Sequence, residues 1–141
     1  MLKTRLNALL ASLALLGACA STTQEVDLER AFSGQPQISG SALQRLIERA
    51  SRYPFGSQEN PVRAEMPVGQ RAYLDRLRCS DGRRPEYDRI GNFGVGVYGN
   101  IIDGYRVSCG AAAPGEVTIF MDMYHPGYVE PRPVPGFTIV P

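Results

Sequence analysis

Tyr105-Arg106-Val107-Ser108-Cys109 and Val117-Thr118-Ile119-Phe120-Met121-Asp122-Met123 place apolar residues at every second position, and only Gly110 to Glu116 separates them. A period of two is that of a strand with one buried face, and a short Gly- and Pro-containing link favours antiparallel return. The stretch therefore predicts strands over Gly104 to Cys109 and Glu116 to Tyr124, joined as a hairpin. A sheet built around that hairpin needs a cover on its apolar face.

Working outward, Gln70 to Cys79 alternates as well, with Ala72, Leu74 and Arg76 on one face and Arg71, Tyr73, Asp75 and Leu77 on the other. It is expected to be a central strand partly covered on both sides. Ser80 to Pro85 makes a turn, and Glu86 to Asn92 runs back as a further strand. The cover is expected from Ser41 to Arg52, where Leu43, Leu46, Ile47 and Ala50 follow helical spacing. Ser39 or Ser41 can cap this helix and Pro54 ends it. Pro126 to Pro141 holds five prolines and reads as extended chain whose Phe137, Ile139 and Val140 can add to a sheet edge. The fold class that follows is α+β, one amphipathic helix packed on a small, mainly antiparallel sheet.

The other end of the chain carries an address. Lys3 and Arg5 precede an almost wholly apolar run of about thirteen residues from Leu6 to Ala18. A spanning helix needs roughly twenty apolar residues, so the layout is that of a secretory signal peptide over residues 1–18. Its end, Leu16-Gly17-Ala18-Cys19, resembles the lipobox of bacterial lipoproteins. The resemblance covers the leader alone. It implies that Cys19 becomes the first mature residue, with a diacylglycerol on its sulfur and a fatty acyl chain such as palmitate on its amine. Several chains hold a protein firmly where one holds it marginally. Ala20 rather than Asp follows the cysteine, which for that family implies the periplasmic face of the outer membrane. The alternative is an ordinary signal peptide cleaved after Ala18 or Ala20.

On this reading residues 19–40 are a lipid-anchored flexible tether, within which Val26, Leu28, Ala31 and Phe32 can form a brief helical turn. Residues 41–141 are then a single domain. With Cys19 acylated, Cys79 and Cys109 remain as an even pair outside the cytoplasm, where a disulfide is the expected state.

Without Lys3 and Arg5 the chain has 13 basic and 14 acidic residues, which gives no basic excess for a nucleic-acid partner. Arg76, Arg78, Arg83, Arg84 and Arg89 cluster locally, but Asp75, Asp81, Glu86 and Asp88 interleave with them, as on a solvated face with local ion pairs. Gly94-Val95-Gly96-Val97-Tyr98-Gly99 matches G-x-G-x-x-G. A dinucleotide site needs a helix to open there, whereas only Asn100 to Asp103 intervene before the next expected strand, so no cofactor is expected. The glycines of Gly91 to Gly99 suit a bent loop instead.

One segment gathers chemistry. Asp122, Tyr124, His125 and Tyr128 sit at the end of the hairpin's second strand, with the chain's single histidine among them. They are the candidate ligand-binding residues. No catalytic set and no metal site is assigned, since one histidine without a second ligand at recognisable spacing makes a poor site. The expectation is an envelope lipoprotein with a non-catalytic binding or structural role, whose partner is an envelope protein or a cell-wall glycan. The rival is a periplasmic enzyme or glycan receptor that uses Asp122, Tyr124 and His125. The sequence leaves the oligomeric state open.

Overall fold

The computed structural model describes residues 26–141. The expected signal peptide and lipobox, with Cys19, lie outside the described residues. In chain order the elements are α1 (Leu28–Phe32), α2 (Gly40–Ala50), β1 (Val62–Arg63), α3 (Met66–Arg76), β2 (Leu77–Arg78), β3 (Glu86–Val95), β4 (Ile101–Ser108), β5 (Glu116–Asp122) and β6 (Thr138–Ile139). The class is α+β, as expected.

The hairpin is β4 and β5, antiparallel, with Val107 opposite Val117 and Tyr105 opposite Ile119. These pairs share the inner face: Tyr105, Val107 and Ile119 belong to the core, and the half-buried Val117 packs against it. β3 adds antiparallel on one side, and the two residues of β1 pair parallel on the other, giving the order β1-β5-β4-β3. β3 is thus an edge. Its pairing slips between Arg89 and Gly91 and again between Asn92 and Val95. Gly91 faces Gly104 across that pair, and Phe93 covers the space where a Gly104 side chain would stand. Phe93 also meets Phe120 edge to face, with ring centroids 5.0 Å apart.

The segment Gln70 to Cys79 corrects the expectation. It is mostly α3, with only Leu77–Arg78 extended. Gln70, Tyr73, Leu74 and Leu77 are all buried. Their spacing of i, i+3, i+4 and i+7 is one helix face, completed by a polar residue. Gln70 earns its place there by accepting a hydrogen bond from the Tyr105 hydroxyl at 2.9 Å. Pro67 sits in the first turn of α3, where its missing N–H costs nothing. Tyr73, Leu74 and Leu77 then pack with Val62, Tyr105, Val107, Ile119, Met121, Val134 and Phe137. Each such aliphatic side chain contributes about 1.5–3 kcal/mol on full burial.

α2 forms where helical spacing predicts, with Ser39 at the N-cap position, although the Ser39 hydroxyl makes no capping bond. Leu43, Leu46 and Ile47 are only half-buried. This helix flanks the far end of β3, sharing an open pocket with Val95 and Val97, and the central cover is α3. The C-terminal segment does pair through β6, but with β2 in a separate two-stranded sheet. Cys79 and Cys109 are bonded, with Cα atoms 5.8 Å apart. The bond ties the chain just after β2 to the chain just after β4, so it joins the helical layer to the main sheet rather than two neighbouring strands. α1 matches the expected helical turn. Beyond it the Gln37 backbone N–H donates to Asn100 Oδ1 at 2.8 Å, so this part of the expected tether lies against the domain.

Candidate functional site

At the end of β5 alternation turns Met121 into the core and Asp122 to the opposite face. That face is not open there. Asp122 stands opposite Ile102, and the chain between β3 and β4 folds back over both. The fold-back needs glycine: a Cβ at Gly96 would lie 2.5 Å from Ile102 Cγ2, and Gly99 has φ +76°. The Gly99 and Gly96 N–H groups close the turn onto Gly96 O and Asn100 O. The G-x-G-x-x-G stretch thus leads straight into β4, with its Gly96 and Gly99 amides spent on its own turn.

Asp122 has no solvent exposure. Its Oδ2 accepts from Asn100 Nδ2 and its Oδ1 from the Tyr124 backbone N–H, both at 2.9 Å. His125 Nε2 lies 3.4 Å from the same Oδ1, and the histidine is 5% exposed. The imidazole meets the Tyr98 ring edge to face, with centroids 5.5 Å apart. Burial, chiefly, pushes the Tyr98 hydroxyl up to about 12. Tyr124 is buried, and burial followed by Asp103 and Asp122 raises its hydroxyl too. Three of the expected site residues therefore meet, together with Tyr98 from the turn after β3; the expected Gly91 to Gly99 loop is shorter than that, because β3 runs on to Val95. They meet as packed interior, and an acid–histidine pair sealed from water presents no proton to an arriving substrate.

Tyr128 joins a different cluster. Its hydroxyl accepts from Arg63 at 2.6 Å and donates to Glu130 Oε2 at 3.1 Å. The Glu130 carboxylate is fully buried and is gripped by Arg132 through Nε at 2.9 Å, NH2 at 3.2 Å and the backbone N–H at 3.2 Å. Burial acts to raise the Glu130 carboxyl, but the Arg132 bonds and the Tyr128 hydroxyl outweigh it and hold the group below its ordinary 4.5. Arg76 reaches across to Glu130 O at 2.6 Å. Between this cluster and α3 runs a cleft of about 230 Å³, lined by Arg63, Val68, Tyr73, Tyr128 and Val129 among others. The sequence pointed to none of Asn100, Arg63, Glu130 or Arg132. Glu130-Pro131-Arg132 was the available signal, an acid and a base flanking a residue with fixed φ.

No family model matches the chain, and no curated protein or solved structure matches it significantly. Among the described residues no three His, Cys, Asp or Glu side chains converge as a metal site would require. The mixed basic cluster holds local pairs: Arg83 with Asp81 at 2.8 Å and Arg89 with Asp103 at 2.6 Å.

Glu130 sets an acid limit. Its folded carboxyl titrates below the unfolded one, so its stabilisation is complete above about pH 4.5 and is lost as pH falls through the folded value. Acid unfolding of the protein beside Glu130→Gln should show the two stability curves converging below that pH. Parallel curves down to full unfolding would refute the assignment.

Proposed function

We propose that the chain is an exported lipoprotein, held by acyl chains on Cys19 at the periplasmic face of the outer membrane. Its domain has a non-catalytic binding or structural role in the cell envelope. The observation that carries this is the leader: a basic head, an apolar run too short to span, then Leu16-Gly17-Ala18-Cys19. Two features support it. The Cys79–Cys109 bond suits an oxidising compartment and leaves Cys19 as the odd cysteine. The sealing of Asp122 and His125 weighs against the catalytic rival. Candidate partners are an envelope protein or a cell-wall glycan.

Mass spectrometry of the matured protein tests the anchor. A first residue Cys19 carrying diacylglycerol and an N-acyl group is the expected result, and Cys19→Ala should leave the membrane fraction. An unmodified Cys19, or a full-length chain with its leader in the cytosol, would overturn the proposal.

A further inference from the structure

Nine large apolar side chains among the described residues are markedly exposed, and they fall into two groups. Tyr53, Ile90, Phe93 and Val95 lie on or beside β3. Leu28, Phe32, Met66, Val68 and Val129 lie away from β3, on α1, on α3 and beside α3. Leu28 and Phe32 are one helical turn apart on α1, 61% and 86% exposed. The chain just beyond α1 rests on Met66, since a Cβ at Gly34 would stand 2.6 Å from the Met66 sulfur. Val68 on α3 and Val129 line the same cleft beside that helix, and these two are 65% and 70% exposed. A run of projecting apolar groups of this kind marks an interaction surface.

Its position says what covers it. Leu28 is nine residues from Cys19, a span of at most about 30 Å when fully extended and about 15–18 Å as a flexible coil. Whatever holds Cys19 therefore holds α1 beside it, at high effective concentration. We propose that Leu28, Phe32, Met66, Val68 and Val129 form a face that rests on the lipid surface and seats the domain on the membrane. This rests on the lipid-anchored reading of Cys19. Asp27, Glu29 and Arg30 on and before α1 give no positive excess, so the attachment is apolar insertion rather than attraction to anionic headgroups. It should accordingly be insensitive to salt.

The chain contains no tryptophan, so one introduced indole reports alone. The experiment uses mature acylated protein in phosphatidylethanolamine–phosphatidylglycerol vesicles, with brominated acyl chains as quencher. Phe32→Trp and Val129→Trp test the face, and Ile90→Trp on β3, at the opposite sheet edge from β1, serves as the control. The expected result is emission moved to shorter wavelength and quenched severalfold at 32 and 129, unchanged by raised salt, with neither effect at 90. Water-like emission at 32 and 129 on vesicles, with diacylglycerol mass on Cys19, overturns the docking face and leaves the anchor standing. Equal quenching at all three sites also overturns it. Absence of the acyl mass sinks the anchor reading and the face with it.

Discussion

Reducing the Cys79–Cys109 bond is expected to lower the free energy of unfolding by about 3–4 kcal/mol. The two cysteines are 30 residues apart, and the chain-entropy relation gives about 3.5 kcal/mol for closing a loop of that size in the unfolded state. Small domains hold roughly 5–15 kcal/mol in total, so the loss is a large fraction. The position adds to it, because the bond joins the chain after β2 to the chain after β4. Among the described residues it is the one side-chain cross-link between the layer that carries Tyr73, Leu74 and Leu77 and the sheet that carries Tyr105, Val107 and Ile119. The measurement is a urea titration with and without reductant, supported by a Cys79→Ser/Cys109→Ser double variant. The midpoint should fall, and the denaturant slope should rise as the unfolded chain expands. A midpoint unmoved by full reduction would refute the assignment.

Asp122→Ala should be of similar size, at about 3–5 kcal/mol, because it strips the acceptor from two sealed donors. Asn100 Nδ2 and the Tyr124 N–H would each be left unpaired in the interior, at about 1–3 kcal/mol apiece, and the lost carboxylate also leaves a small void. Asp122→Asn separates charge from shape. It retains one acceptor oxygen but confronts the other donor with an amide NH2, for an expected loss of about 1–3 kcal/mol. Denaturant midpoints rank the three proteins, and hydrogen exchange at the Tyr124 amide reports the local break. If Asn at this position abolished an envelope phenotype while the midpoint held, the catalytic rival would regain ground. A phenotype that follows stability supports the non-catalytic reading.

The parts of this fold that the sequence displays are those with a simple period. β4 and β5 bury one face of an antiparallel pair, so Tyr105, Val107, Ile119 and Met121 fall on alternate positions. α2 shows its Leu43, Leu46, Ile47 and Ala50 stripe because its other side is wet. α3 hid for the opposite reason. Its buried face includes Gln70, which a count of apolar residues discards, while exposed Val68 and Ala72 add apolar positions on the wrong side. Pro67 and the 70, 73, 74, 77 spacing were the legible clues. At the site, neighbours in sequence were legible and neighbours in space were not. Asp122, Tyr124 and His125 announce one another, but Asn100 reaches Asp122 only through the return of the chain from β3. Gln37 reaches Asn100 from 63 residues away. Nor does residue type tell a cleft from an interior, since the same acid and imidazole serve both.

The two slips in the pairing of β3 bear on how such molecules tolerate one another. Confined to a surface, as proposed, copies meet far more often than they would in free solution, and a ten-residue outer strand is a template for the next chain's backbone. Breaks after Arg89 and after Asn92 divide that strand into short, differently twisted pieces, with Glu86, Asp88 and Arg89 charged along the first. No straight row of amides is left for a second molecule to extend. The slips therefore oppose backbone pairing between neighbouring copies through β3.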